Sequence, residues 1–125
     1  MQYVFAYGTL RPHSEGIEPQ RTWNFERIRH DVIAHEPATT LGTLHTFGRF
    51  PGMAQGKTVI HGDLLCVNDK ALRMMDRIEG HPHFFRRELV TVQTKAGEKQ
   101  AWMYWGPEKC KDLPVIETGD WFFQA

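Results

Sequence analysis

The sequence of 125 residues has a single serine, two cysteines, no excess of either charge and no long apolar run. Fifteen Lys and Arg residues balance fifteen Asp and Glu residues, which removes the electrostatic basis for binding nucleic acid or an anionic membrane surface. Cys66 and Cys110 form neither a CxxC pair nor a zinc-binding pattern. We therefore expect reduced, inert thiols in a cytoplasmic protein, with one disulfide as the alternative.

The apolar runs fall well short of the roughly 18 residues of a membrane helix. The N-terminus also lacks the basic region and apolar stretch of a signal peptide. The sequence therefore predicts no association with membranes and no targeting segment.

Motifs for metals, nucleotides and nucleophilic serines are missing as well. The seven histidines are scattered without an HExxH pair, and there is no Walker loop, no GxGxxG and no GxSxG. Ser14, the only serine, has no surroundings that mark it as a nucleophile. The sequence predicts neither a metal site nor a cofactor.

What is present fits one globular domain over residues 1–125, since 41% of the residues are hydrophobic and 24% are charged. Apolar and β-branched runs predict strands at 1–7, 38–47, 58–67, 86–94 and 99–105. Residues 48–57, with three glycines and a proline, are predicted to be a loop. A weak apolar stripe suggests a helix at 21–33, and a stronger one predicts a helix at 68–80. Many strands and one clear helix predict an α+β fold with a sheet curled into a small barrel.

Gly8 interrupts the first apolar strand, in the stretch Phe5-Ala6-Tyr7-Gly8-Thr9. Glycine at such a point permits dihedral angles that other residues avoid, or lets another group approach the backbone closely. The sequence alone leaves open whether this is an ordinary turn or a ligand-binding loop.

Glu79 occupies an unusual place in the predicted helix. At 100° per residue, Leu72 lies about 20° and Met75 about 40° from Glu79, on the apolar face. The basic residues fall on the opposite side: Lys70, Arg73 and Arg77. Burial and the negative end of the helix dipole both raise the pKa of such a carboxyl group, as a general acid or base requires. The alternative is that the helix ends earlier and Glu79 points into water.

Taken in order, several short motifs resemble the gamma-glutamylcyclotransferase-like family. The motifs span nearly the whole chain: Tyr7-Gly8-Thr9-Leu10, Pro51-Gly52, His61-Gly62, the run from Asp76 to Pro82, Trp102-Met103-Tyr104, and the run from Thr118 to Trp121. The resemblance implies a small mixed β-barrel with peripheral helices. It also implies an enzyme that converts a gamma-glutamyl amine or amino acid to 5-oxoproline and a free amine, without a cofactor.

The same resemblance implies roles for individual residues. Glu79 corresponds to the general acid/base, and the loop from Tyr7 to Leu10 corresponds to the part that binds the glutamyl end through backbone N–H groups. Arg11 follows this loop and is expected to meet a carboxylate. Phe85 stands where many relatives have a tyrosine, which removes one hydroxyl from the expected substrate site.

A second hypothesis is a non-catalytic module that binds a small acid on the same fold, and a third is a partner-binding protein with a vestigial site. A small acid bound in the mouth of the barrel, with Glu79 facing its amine, would favour the enzyme, whereas a mouth filled by Phe84 or Phe85 would favour the module. The sequence does not identify the leaving amine, the oligomeric state or the role of residues 12–37.

Overall fold

The computed structural model describes residues 1–124. Five strands form a closed barrel in the order β1-β3-β2-β4-β5. Their bounds are β1 Gln2–Ala6, β2 Val32–Thr46, β3 Pro51–Val67, β4 Arg86–Thr94 and β5 Gly97–Trp105. β1 pairs antiparallel with β3 and parallel with β5, and the other described pairs are antiparallel. The predicted α+β class and small mixed barrel are confirmed.

The single α-helix within residues 1–124, α1, runs from Asp69 to Glu79 and confirms the predicted helix. The Asn68 side chain accepts a hydrogen bond from the Ala71 amide at 2.9 Å and so caps the first turn. Gly80 ends the helix with a φ of 69°, a conformation that glycine adopts without strain. None of the helices that the structure describes has the length and apolar content needed to span a membrane.

The predicted helix at 21–33 is wrong. Three short 3₁₀ helices, Pro19–Arg21, Trp23–Arg27 and Arg29–Asp31, lead directly into β2. Backbone hydrogen bonds join residues three apart, as in the bonds from Phe25 to Thr22 and from Ile28 to Phe25. Only Phe25 and Ile28 of the apolar residues are buried here, and Trp23 is exposed, so no continuous stripe stabilises an α-helix.

The predicted loop at 48–57 is also wrong, since β3 already begins at Pro51. Gly48, with a φ of 105°, lies in the connection, whereas Gly52 and Gly56 allow close packing within β3. A Cβ atom on Gly52 would lie 2.9 Å from the Phe47 ring, and one on Gly56 would collide with the Thr43 side chain. The tight connection between β2 and β3 therefore covers only residues 47–50, closed by the hydrogen bond from the Phe47 amide to the Phe50 carbonyl.

The two faces of β1 pack into two different cores, because successive side chains of a strand alternate in direction. Val4 and Ala6 pack against Leu72 and Met75 of α1. Phe5 and Tyr7 belong to a second core with residues from the other four strands: Leu44, Ile60, Leu64, Val92 and Met103. The second core fills the barrel, and the first holds α1 on its outside. Glu79, at the end of α1, is thereby brought to the same side of the barrel as the end of β1.

Candidate active site

One cavity of about 710 Å³ lies where the end of β1, the end of α1 and the β2–β3 connection meet. Residues 7–10, residues 48–51 and Glu79 border it, and the 3₁₀ segment forms the remaining wall. The predicted loop residues and the predicted acid/base therefore border the same space, although they are far apart in the sequence. Phe84 stands on the wall of this cavity and does not fill it.

Residues 8–11 form a tight turn, in which the Arg11 amide donates to the Gly8 carbonyl at 3.0 Å. Gly8 is not among the glycines with a positive φ in residues 1–124, so an unusual dihedral angle does not explain it. A Cβ atom at this position would lie 2.7 Å from the Pro51 ring. Glycine is therefore required because Pro51 packs closely against the turn, and the ring leaves little room for adjustment.

The backbone amides of Thr9 and Leu10 are the chief donors available at the turn. Both residues are buried from bulk solvent and border the cavity. In residues 1–124 neither amide donates a hydrogen bond to another protein group. Because buried backbone N–H groups are almost always paired, a ligand or water in the cavity is the natural acceptor for them.

Asn24, a buried side chain from the 3₁₀ segment, fixes this turn. Asn24 Nδ2 donates to Thr9 Oγ1 at 2.8 Å, and Asn24 also borders the cavity. The contact links the segment that sequence reasoning could not interpret to the predicted binding loop.

Glu79 borders the cavity from the last turn of α1. No side chain within residues 1–124 forms a salt bridge with its carboxyl group. Burial raises the pKa of Glu79 to about 7. A carboxyl group with this pKa is present in both ionisation states near neutral pH and can both take and give a proton.

Two tyrosines surround this carboxyl group. The Tyr7 hydroxyl donates to the Tyr104 carbonyl oxygen at 2.6 Å, and the Tyr104 hydroxyl donates to Asp76 Oδ1 at 2.6 Å. Burial is the main cause that raises the pKa of both phenols, and negative charge on Glu79 raises each pKa further. Both hydroxyls therefore stay protonated, and each donates its single proton to a protein acceptor.

Asp76, one turn before Glu79, has a different environment. Arg87 donates to its two oxygens at 2.8 and 3.2 Å. Burial opposes ionisation, but the hydrogen bonds from Arg87 and Tyr104 lower the pKa of Asp76 below its usual value. The two neighbouring carboxyl groups therefore differ in role. Asp76 stays ionised and holds Arg87 and Tyr104 in place, whereas Glu79 can take and release a proton.

Arg11 does not border the cavity and instead forms ion pairs within the protein. Its guanidinium group binds Asp63 at 2.8 Å and Asp120 at 3.0 Å, and it stacks on the Phe122 ring at 3.7 Å. The expected carboxylate contact is therefore made to the protein itself. These contacts hold the C-terminal tail against the barrel.

We expect Arg11→Met to destabilise the fold by about 3 kcal/mol or more, because it leaves two largely buried carboxylates without their partner. Arg86→Met is the matched control, since the pair of Arg86 with Glu88 is exposed and is expected to contribute less than about 1 kcal/mol. Urea unfolding of the two variants and the parent measures the difference. Equal, small changes in both variants would contradict a structural role for Arg11.

Phe85 is likewise not among the described residues that border the cavity. It is buried in an aromatic cluster with Phe47, Phe50 and Phe84, whose ring centroids lie 5.1 to 6.3 Å from its own. Phe84, its neighbour in the chain, borders the cavity instead. Phe85 supports the wall from behind, which corrects its predicted place in the substrate site.

Sequence reasoning missed several wall residues: Asn24, Arg27, Arg49 and Tyr104. The first three lie in segments predicted as a weak helix or a loop, so nothing local distinguished them. Tyr104 did carry a signal, because it belongs to the aromatic motif Trp102-Met103-Tyr104 that supported the family resemblance.

Comparisons with known proteins identify the family of this chain. The family described as "Gamma-glutamyl cyclotransferase, AIG2-like" matches residues 4–123. A protein of Methanocaldococcus jannaschii, provisionally named a gamma-glutamylcyclotransferase, is 30% identical over 125 residues, which cover 97% of this chain and 96% of that protein.

Solved structures show the same fold. The solution structure of protein ytfP from Escherichia coli superposes with a TM-score of 0.63 at 26% identity, and the match covers 96% of each chain. The crystal structure of YkqA from Bacillus subtilis gives a TM-score of 0.72 at 24% identity, covering 96% of this chain but 39% of that protein. With the family match spanning nearly all of its residues, the chain belongs to the gamma-glutamyl cyclotransferase, AIG2-like family.

Proposed function

We propose that this protein is a gamma-glutamyl cyclotransferase. It converts a gamma-glutamyl amine or amino acid to 5-oxoproline and releases the free amine, with Glu79 as general acid and base. The reaction uses no cofactor, because the nucleophile is the alpha-amine of the substrate itself.

The observation that carries the proposal is the meeting of two kinds of group at one cavity. Glu79 provides a carboxyl group with a pKa of about 7 and no basic partner within residues 1–124. Thr9 and Leu10 provide backbone amides that no described protein group accepts from. A substrate with a carboxylate near an amine supplies the acceptor for the amides and the proton for Glu79.

In the reaction, the nitrogen of the alpha-amine attacks the gamma-carbonyl carbon and forms a five-membered ring. The neutral amine supplies its lone pair to the new C–N bond, and ionised Glu79 takes one proton from this nitrogen as the bond forms. Protonated Glu79 then gives the proton to the leaving nitrogen as the original gamma-amide bond breaks. One bond forms, one breaks, and the proton moves from one nitrogen to the other.

Binding a bent conformer of the substrate supplies a large part of the acceleration. The amides of Thr9 and Leu10 hold the alpha-carboxylate, and Asn24 keeps their turn in place through the Thr9 hydroxyl. Attack within one molecule needs no second reactant, and well-oriented intramolecular reactions gain up to about 7–11 kcal/mol from this effect.

The test is release of 5-oxoproline from a panel of gamma-glutamyl amino acids and amines. We expect 5-oxoproline and free amine in equal amounts from at least one compound, at a rate well above that of the compound in buffer alone. Mass spectrometry distinguishes 5-oxoproline from glutamate. Formation of glutamate in place of 5-oxoproline would show hydrolysis, and turnover of no compound would overturn the proposed function.

A further inference from the structure

Two arginines on the cavity wall have no carboxylate partner. Arg27, in the second 3₁₀ helix, and Arg49, in the β2–β3 connection, both border the cavity and are exposed. Within residues 1–124, no Asp or Glu oxygen lies within 4 Å of either guanidinium group. Arg27 donates a long hydrogen bond, of 3.5 Å, to Asn24 Oδ1.

Arg21, the third arginine on this wall, is already engaged. It donates to the Trp121 carbonyl oxygen at 2.9 Å and lies over the Trp121 ring. Glu18, an acidic residue on the same wall, lies 3.9 Å from Arg21 and accepts a hydrogen bond from Gln20. Arg21 and Glu18 therefore offset each other, and the two remaining arginines give the wall an excess of positive charge.

We propose that Arg27 and Arg49 bind a carboxylate on the leaving amine, so that the preferred substrates are gamma-glutamyl amino acids or peptides rather than gamma-glutamyl monoamines or polyamines. The proposal rests on the proposed function, since it assigns the leaving portion of that substrate. A guanidinium group matches a carboxylate with two parallel hydrogen bonds, whereas an ammonium group of a polyamine would be repelled.

The assignment follows from which groups the reaction already uses. The glutamyl end is held by the Thr9 and Leu10 amides, and Glu79 acts on its amine. Neither arginine is required for ring closure, and both occupy separate segments of the wall. The leaving portion is the part of the substrate that remains to be recognised, and a carboxylate on it would offset the positive charge of the two arginines.

The decisive experiment compares gamma-glutamylalanine with gamma-glutamylethylamide, which lacks only the carboxylate, and with gamma-glutamylputrescine. We expect kcat/KM for the alanine compound to exceed that of the ethylamide by roughly 10- to 100-fold, the usual effect of a hydrogen-bonded charged group. The putrescine compound should be the poorest. Equal or better turnover of the ethylamide by the parent protein would overturn the proposal.

Substitution of the arginines tests their part in this preference. In Arg27→Gln/Arg49→Gln, the ratio between the alanine compound and the ethylamide should fall to within about threefold of unity. Arg29→Gln is the matched control, because Arg29 lies in the same segment, pairs with Glu26 and is not on the described wall. A preference that survives in the double variant would overturn the assignment.

Two further measurements test the arginines without substituting them and without requiring turnover. In the parent protein, the preference should decline as salt is raised, since exposed charges are screened; a preference unaffected by salt would count against the arginines. If no compound cyclises, the proposed function fails by itself. Calorimetric binding of the alanine compound and the ethylamide still tests the arginines, and equal affinities would overturn their role.

Discussion

Glu79→Gln is expected to lower kcat by roughly 10²- to 10⁴-fold, the usual contribution of a positioned general acid or base. Glutamine keeps the volume of the side chain and removes the group that takes and gives the proton. The substitution leaves the turn at residues 8–11 in place, so KM should change much less than kcat. Steady-state release of 5-oxoproline from the best substrate of the panel measures both constants.

Glu98→Gln is the matched control for this variant. Glu98 lies in the exposed β4–β5 hairpin and contacts Gln93, and the same chemical change there should leave kcat within about twofold of the parent value. Folding of both variants is checked by circular dichroism. A folded Glu79→Gln protein with kcat within about threefold of the parent value would remove Glu79 as the acid/base.

The same variant has an expected stability change whose sign depends on pH. Burial raises the pKa of Glu79 from an ordinary value of 4.5 to about 7, so the folded protein holds this proton more tightly than the unfolded chain. The stabilising effect of protonation is complete below about pH 4.5 and is lost as the pH rises through about 7.

Relative to the parent, Glu79→Gln should therefore gain stability as the pH rises, from about zero near pH 4 to as much as roughly 3 kcal/mol at pH 8. Urea unfolding of both proteins over this range measures the difference. A stability difference that does not change with pH, or a large loss in the variant, would show that the Glu79 carboxyl has a structural partner.

Acetylation of the substrate's alpha-amine is expected to abolish cyclisation. The amide nitrogen of an N-acetyl group has no available lone pair, so it cannot attack the gamma-carbonyl carbon, whatever Glu79 does. We expect no detectable 5-oxoproline derivative or free alanine from N-acetyl-gamma-glutamylalanine, under conditions in which the parent compound reacts to completion.

N-methyl-gamma-glutamylalanine is the matched control compound. It carries a substituent on the same nitrogen but keeps the lone pair, so slow cyclisation to N-methyl-5-oxoproline is expected. Release of alanine together with N-acetylglutamate from the acetylated compound would mean that water is the nucleophile, and the mechanism proposed above would be wrong.

Features that depend on neighbours in the chain were predicted correctly from the sequence. The apolar strand at residues 2–6, the helix within residues 68–80, and the apolar face that contains Leu72 and Met75 all follow local rules. The place of Glu79 on that face is a consequence of the same periodicity. The class of fold followed from the number and order of these elements, aided by the ordered family motifs.

Features that depend on contacts between distant residues could not be predicted from the sequence. Residues 51–57 belong to a strand, despite their glycines, because β2 pairs with residues 51–54 and, after a register shift, again from Thr58 onward. Residues 19–31 form three 3₁₀ helices, which are held in place by tertiary contacts such as those of Asn24 with Thr9 and of Trp121 with Arg21. Local propensity is too weak to determine such segments, and packing against the rest of the protein decides their form.

The sequence by itself thus determined the helix that carries Glu79 and the glycine-containing turn that follows β1. Only the tertiary structure decided that the two border one cavity, that Arg11 binds Asp63 and Asp120, and that Arg27 and Arg49 have no carboxylate partner within residues 1–124. The physical reason is the range of the interactions. Helix caps and periodic faces are set by residues within a few positions, whereas ion pairs and cavity walls join distant residues, such as Arg11 and Asp120, which are 109 positions apart.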